Sequence, residues 1–448
     1  MATASTQNYE IPVSSPPENY GRPLVIIAVL FFTLGFLVCL NYILIPHLRS
    51  IFNLSDPVVI IVHSAFYWIP LFSIPAARFM DRVGYQKTMV AGLLTMSLGA
   101  LLFVPSAGLH SALLFFAALV VLGIGITVLQ VATNPYVAML GSPSTASSRL
   151  SLVHAFKMLG AVIAPQFGGI LVLSATPVSQ IELNNLSQEA LRYYRVAQAE
   201  SVKLPYVLMG ITLLALAAIL GSSRLPDFAF SHRRLSRSDN NALWKHRNVT
   251  LGALAVFACV GAEVSIGSLL VNYLTQLKIG HPMGLTVAGL MTLYGLIATA
   301  GLFIGWLILK RVQTKRVLAI SAGGAITLVL VSILTSGHTA MWSMIAAGFL
   351  SSLLFPCVFA LGISDLGPLT SDGSGLLMTA TVGGAIIPFA QNYLAHRVSL
   401  NTSFALPIAC YLFVLLFSLL SKRTTTRCQD EGSEFKALDR DREASYQT

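Results

Sequence analysis

Twelve apolar stretches, each about long enough to cross a bilayer, constrain this chain more than any other feature. A helix needs about 20 apolar residues to span the hydrocarbon core. Stretches of that kind run over 24–48, 58–79, 88–107, 111–140, 147–174, 204–222, 248–276, 285–309, 316–336, 340–364, 374–394 and 402–421. In lipid, backbone N–H and C=O groups must be satisfied within the protein, so stretches of this length cross as helices. A soluble domain carries about 25% charged residues; this chain carries 10%, with 55% hydrophobic residues and a mean hydropathy of +0.74. The expected fold class is an all-α polytopic membrane protein with twelve transmembrane helices.

The net charge of +10 is concentrated in a few loops. Arg78, Arg82 and Lys87 follow span 2, and Arg149 follows span 4. Arg224, Arg233, Arg234, Arg237, Lys245 and Arg247 follow span 6; Lys310, Arg311, Lys315 and Arg316 follow span 8; Lys422, Arg423 and Arg427 follow span 12. All are even-numbered connections, so the positive-inside rule puts both termini in the cytoplasm. This distribution speaks for topology and against nucleic acid as a partner. The long odd loop at 175–203 balances Glu182, Glu189 and Glu200 against Arg192, Arg195 and Lys203. Basic segment 224–247 divides the spans six and six, and RFMDRVGYQK after span 2 has a positional counterpart in LILKRVQTKR after span 8. The expected organisation is a tail over 1–23, a first bundle over 24–223, a linker over 224–247, a second bundle over 248–421 and a tail over 422–448. The bundles are expected to be pseudo-symmetric. No cleavable signal peptide is expected. Sequons at Asn53, Asn185 and Asn401 fall on the predicted outer side.

Chemistry concentrates between Gly123 and Gly169. Gln130 and Asn134 are four apart and share one helix face; His154 and Lys157 are three apart and share another. Polar groups at membrane depth line water-filled cavities or pair with one another. Lys157 is the one ammonium placed well inside a span, and Glu263, in GAEVSIGSLLVNYL, the one carboxylate. A charge at that depth costs roughly 3 kcal/mol unless paired or hydrated, so each is a functional candidate, with a structural ion pair as the alternative. Glu263 and His154 are the candidates for moving a proton. Asn41, Asn272, Gln391 and Asn392 add amides that donate and accept as sugar hydroxyls do, with interhelical hydrogen bonds as the competing role. Tyr42, Tyr294 and Phe355 offer flat surfaces for a sugar ring, or simple packing. Asp81 and Arg82, ahead of the Gly84 turn, suggest a charge lock at a cytoplasmic helix end with Arg149 as partner, or a topogenic cluster. Phosphate loops, nucleophile triads and metal spacings are absent from the sequence, so a non-enzymatic protein without cofactor or metal is expected. The five cysteines show neither metal nor disulfide spacing.

Several strings carry a family resemblance: LNYILIPHLRSIFNL, DRVGYQK, GITVLQVATNPYVAMLG, SSRLSLVHAFKMLGAVIAP, VGAEVSIGSLLVNYL and FPCVFALGISDLGPLTSDGSGLLMTATVGGAIIP. Through them the chain resembles the major facilitator superfamily, and within it the fucose, glucose/galactose and hexose symporter family. The departures fall in the presumed cavity. Tyr42 stands where the family usually has aspartate, and Ala77 where its loop motif has glycine. Gln130 follows the hexose branch rather than the glutamate of the fucose branch. His154 and Lys157 replace a usual Gln-x-x-Asn, Leu302 replaces an arginine on helix 8, and Phe355 replaces a tyrosine of the fucose branch.

The resemblance implies a secondary transporter of a monosaccharide or sugar derivative, working by rocking alternating access between two six-helix halves, with protons as the coupling ion. The lost acid and gained lysine put that coupling in question and open the way to an anionic sugar. Two rival readings keep the fold: a carrier or exporter of an organic anion or specialised metabolite, and a transport-inactive sugar sensor. The expected location is a plasma membrane, or the inner membrane of a bacterium.

Overall fold

The computed structural model describes residues 20–52, 66–109, 111–172, 187–226, 243, 246–277 and 286–421. Outside them lie both tails, most of the expected linker, the first part of the second expected span, and the sequons at Asn53 and Asn185. Among the described residues, 11 helices are long and apolar enough to cross a membrane. The second expected span is represented by a 3-10 turn at Ile69–Phe72 and the helix α2 at Ser73–Val83.

The first bundle comprises α1 (Gly21–Phe52), α2, α3 (Tyr85–Gly108), α4 (Ala112–Met139), α5 (Ala146–Val172) and α6 (Gln188–Ser222). The second comprises α7 (Arg247–Gln276), α8 (Val287–Ile308), α9 (Thr314–Leu334), α10 (Gly337–Ser351, resuming at Leu354–Gly362), α11 (Thr370–Thr379, resuming at Gly383–Arg397) and α12 (Ala405–Leu420). Tyr20 and Ser421 lie on one membrane face, called here the terminal face. Crossing by crossing, the connections α2–α3, α4–α5, α8–α9 and α10–α11 return to it.

The two halves repeat one packing scheme. In the first, α1 packs on α5 and α6, and α3 on α4 and α6; in the second, α7 packs on α11 and α12, and α9 on α10 and α12. Each pairing maps onto its counterpart six helices later. Contacts between halves obey the same mapping: α5 meets α8 and α10, while α11 meets α2 and α4.

Close approach explains the tightest of these pairs, because lipid supplies no hydrophobic drive between helices and small residues let backbones touch. A Cβ at Gly35 of α1 would fall 1.8 Å from the Lys157 carbonyl oxygen, and one at Gly160 of α5 would fall 2.1 Å from that of Phe32. The equivalent α7–α11 contact uses Gly383, whose added Cβ would meet the Phe257 carbonyl oxygen at 2.1 Å. Gly84 alone connects α2 to α3, at φ 87° and ψ 168°, a conformation that a residue with a Cβ avoids.

Two expectations are corrected. The sixth span starts far earlier than residue 204: α6 is helical from Gln188, capped by Ser187, whose hydroxyl accepts from Ala190 N–H. Glu189, Arg192, Arg195, Glu200 and Lys203, assigned to a loop, sit on helical turns instead, while Glu182 lies outside the described residues; Glu200 pairs with Lys203 at i, i+3. The tenth and eleventh spans are broken. Pro356 removes an N–H from α10 and its ring crowds the Ser352 carbonyl, where the helix interrupts; Gly383 and Gly384 follow the interruption in α11.

Candidate substrate-binding site

The helices that meet across the two halves are the ones carrying the polar residues of the Gly123–Gly169 stretch. At 1.5 Å per residue, His154 lies about 12 Å and Lys157 about 17 Å along α5 from its start at the terminal face. On α4, Gln130 and Asn134 precede the terminal-face end by about 14 Å and 8 Å. All four therefore lie at membrane depth, with Lys157 near the midplane of a ~30 Å core.

Asn134 and His154 join the two halves in a polar layer. The His154 Nε2 and Asn134 Oδ1 are 3.3 Å apart, and the Asn134 amide donates to Met378 Sδ of α11 at 3.3 Å. Asn134 is fully buried. The imidazole is held between Phe31 of α1, edge-on at 5.2 Å, and Phe355 of α10 at 4.9 Å. Above this layer, Lys157 and Glu263 interact electrostatically across the halves without forming a direct ion pair. Both side chains are half-buried. Glu263 of α7 also has the phenols of Tyr67, Tyr294 and Tyr411 within electrostatic reach. The Tyr294 ring lies against Gly348, where an added Cβ would come within 2.4 Å of it, and Ser351 stands between Tyr294 and Tyr411. Gln130, half-buried on the same face of α4 as Asn134, makes no hydrogen bond among the described residues. Tyr42 meets Phe66 edge-on at 5.6 Å, with Tyr67 within electrostatic reach.

Other expected lining residues sit elsewhere. Asn41 turns into the first bundle, 1% exposed, and donates to the Tyr206 hydroxyl at 3.2 Å; Tyr206 is in turn stacked on Phe103 with centroids 4.2 Å apart. Gln391 is buried toward the start of the last span, where its amide donates to the Ser403 hydroxyl at 3.4 Å. Both NH2 groups bond between helices, while Asn41 Oδ1 and Gln391 Oε1 are buried with no hydrogen-bond partner among the described residues. Asn272 is exposed. It stands nine positions from Glu263 on α7, about 900° of rotation, which puts the two residues on opposite faces. Asn392 is likewise exposed, near the end of α11.

The expected lock is also redrawn. Asp81 and Arg82 are exposed at the end of α2, but Arg149 is committed to its own bundle. Its guanidinium donates to the carbonyls of Val137 at 3.0 Å, Ala138 at 2.5 Å and Ser142 at 3.1 Å, and to the Thr145 hydroxyl at 2.6 Å. A cation on the last carbonyls of α4 also complements the helix dipole. Across the halves on this face, Arg78 of α2 lies within electrostatic reach of Asp372 of α11.

Sequence reasoning missed the residues that close the terminal face. Ser147, Ser148 and Ser151 of α5 reach the second half: Ser147 shares a 2.7 Å bond with the Thr314 hydroxyl, Ser148 donates to Trp306 O at 2.7 Å, and Ser151 to Leu302 O at 2.8 Å. Ser374 of α11 donates to Val131 O of α4 at 3.0 Å. Their spacing at the start of span 5, three serines within one turn and a half, was the available signal. Leu302 contributes its buried side chain and this carbonyl.

With the halves sealed on the terminal face and polar groups gathered between them at mid-depth, the arrangement is that of an alternating-access carrier. Residues 24–388 match the Major Facilitator Superfamily. The chain belongs to this superfamily. It is 37% identical over 426 residues to a glucose/galactose transporter of Brucella abortus, covering 95% of this chain and 100% of that one. It is 29% identical over 420 residues to the L-fucose-proton symporter of Escherichia coli, covering 91% and 95%. The crystal structure of FucP in the outward conformation superposes with a TM-score of 0.81 at 28% identity, covering 90% of this chain and 100% of that one. This superfamily member is thus an integral multi-pass membrane transporter with the fold that the sequence resemblance implied.

Proposed function

We propose that this chain carries a neutral monosaccharide of the hexose class, coupled to protons, through the interface between its halves. The observation that carries the reading is the electrostatic pairing of Lys157 and Glu263 across that interface, with three phenols within reach of Glu263. Opposite charges leave the site without net charge, which suits a neutral ligand. Gln130 supplies an unengaged amide to sugar hydroxyls, and Phe355 and Tyr294 supply ring surfaces. The names of the two relatives, a glucose/galactose transporter and an L-fucose-proton symporter, point to the same substrate class.

Glu263 is the proton carrier in this reading. Its protonation releases Lys157 from its counter-charge and frees the ammonium to donate to a sugar hydroxyl. Coupling then follows from one competition, carboxylate against sugar for one cation. The same absence of a direct ion pair supports a second reading, in which an anionic sugar takes the place of Glu263 beside Lys157. The terminal face is the cytoplasmic one, by the basic residues of the even-numbered loops; the membrane is a plasma membrane, inner if the host is bacterial; and 224–247 links two six-helix units. Asp81 and Arg82 act in gating at that face.

Counterflow in proteoliposomes tests this directly. Labelled neutral hexoses are expected to exchange and hexuronates to fail, with proton-driven accumulation lost in Glu263→Gln while exchange persists. Exchange of hexuronates alone favours the anionic reading. Binding without exchange of any sugar overturns transport.

A further inference from the structure

The Asn134 carboxamide has two near-identical faces, and a half-turn about its last bond swaps donor for acceptor. Two neighbours flank it. One is the His154 ring nitrogen, which donates or accepts according to tautomer. The other is the Met378 thioether, which only accepts. Sulfur therefore decides the amide: the NH2 group faces Met378, and the oxygen faces His154. An oxygen at 3.3 Å in turn requires a proton on His154 Nε2. In the neutral ring this leaves Nδ1 as an acceptor. Without the sulfur, the amide–imidazole pair has two arrangements of similar energy, with opposite tautomers.

Met378 belongs to the second half, 2% exposed on α11, whereas Asn134 and His154 belong to the first. One turn earlier on α11, Ser374 donates to Val131 of α4, so the two contacts dock one helix against the other. Parting the halves at the terminal face breaks both.

We infer that Met378 is a positioning residue for the binding site, fixing the tautomer of His154 through Asn134 only while α11 is docked on α4. The site then presents one hydrogen-bonding pattern when the terminal face is closed and a mixture when it opens. In the closed arrangement Nδ1 is a fixed acceptor for any ligand that reaches the ring, and in the open arrangement it is not. Selectivity between sugars that differ in one hydroxyl is consequently sharper from the side opposite the termini. The link to sugar selectivity rests on the proposed function, but the tautomer does not.

The test is Met378→Leu, which keeps side-chain volume and removes the acceptor. Ring nitrogen NMR of the full-length protein labelled with 15N-histidine reports the tautomer, at pH 8, above the ordinary histidine range. His154 is assigned by the signal missing from His154→Gln. The native protein is expected to show the Nε2–H form, and Met378→Leu to show both forms. In proteoliposomes, Met378→Leu is expected to weaken sugar binding about 3- to 10-fold from the face opposite the termini, with binding from the terminal face unchanged. An unaltered tautomer in Met378→Leu overturns the inference. Equal weakening from both faces also overturns it, because that is the signature of a merely structural role. If His154→Gln leaves every sugar affinity unchanged while the tautomer responds to Met378, the site assignment fails and the positioning role stands.

Discussion

Removing the three serine hydroxyls at the start of α5 is expected to open the terminal face. Ser147, Ser148 and Ser151 each make a bond of 2.7–2.8 Å to the second half. A hydrogen bond of this kind contributes about 1 kcal/mol net, which sets an upper bound of about 3 kcal/mol for the trio. The effective difference is smaller, because a serine on a helix has a second acceptor in reach. Ser201, Ser268, Ser364 and Ser403 all donate to the carbonyl three residues earlier on the same chain. When the halves part, the α5 serines fall back on such carbonyls and recover about half of what they lose. The remainder is about 1.5 kcal/mol, or about a tenfold shift in the ratio of open to closed forms. This fall-back suits a gate that must open often, since an ion pair in the same place would need rehydration at each cycle.

Spin labels on Ser144→Cys and Arg311→Cys, both exposed positions, report the separation of the halves by pulsed dipolar spectroscopy, in a background with the five native cysteines replaced. The triple Ser→Ala protein should raise the ratio of long to short distances about tenfold. Ser201→Ala, whose hydroxyl bonds within α6, should leave the ratio alone. A triple variant within twofold of the parent ratio would refute the serine bonds as the seal.

Three further outcomes follow from the geometry. Lys157→Ala leaves Glu263 without its counter-charge at a cost of roughly 3 kcal/mol; transport should fall at least about tenfold, and adding Glu263→Gln should recover thermal stability but neither sugar binding nor proton-driven accumulation. Gly35→Ala drives a methyl into the Lys157 carbonyl and should destabilise the protein by about 2 kcal/mol, seen as a lower thermal midpoint in detergent. Arg149→Ala removes four hydrogen bonds, two to the last turn of α4 and two to the turn that follows it, and should cost about 2 kcal/mol. Arg149→Lys should recover only part of this, because one ammonium cannot reproduce the guanidinium fork. Both changes should show in thermal unfolding more than in sugar selectivity.

The membrane class and most of the helices were legible in the sequence because length against bilayer thickness is a one-dimensional property. Gln130, Asn134, His154 and Lys157 could be picked out for a related reason: polar groups four and three apart at membrane depth face one way whatever packs on them. The start of α6 was misread because hydropathy reports lipid contact, and this helix continues beyond the apolar stretch on the strength of a serine cap and a charged i, i+3 pair. Asn41 and Gln391 look as suited to a sugar as Gln130 does. What their NH2 groups bond to was set by Tyr206 and Ser403, residues distant in sequence or on another helix.

The sequence alone determined that the chain crosses the membrane repeatedly, where its basic loops lie, and which helices carry polar groups. Only the tertiary structure decided which of those groups face each other. A helix surrounded by apolar neighbours is hydrophobic on all sides, so its periodicity does not mark an inner face. That face is set by close contacts such as Gly35 against Lys157 and Gly383 against Phe257. These contacts fix the rotation of each helix, and with it whether an amide meets the interface, a tyrosine or lipid.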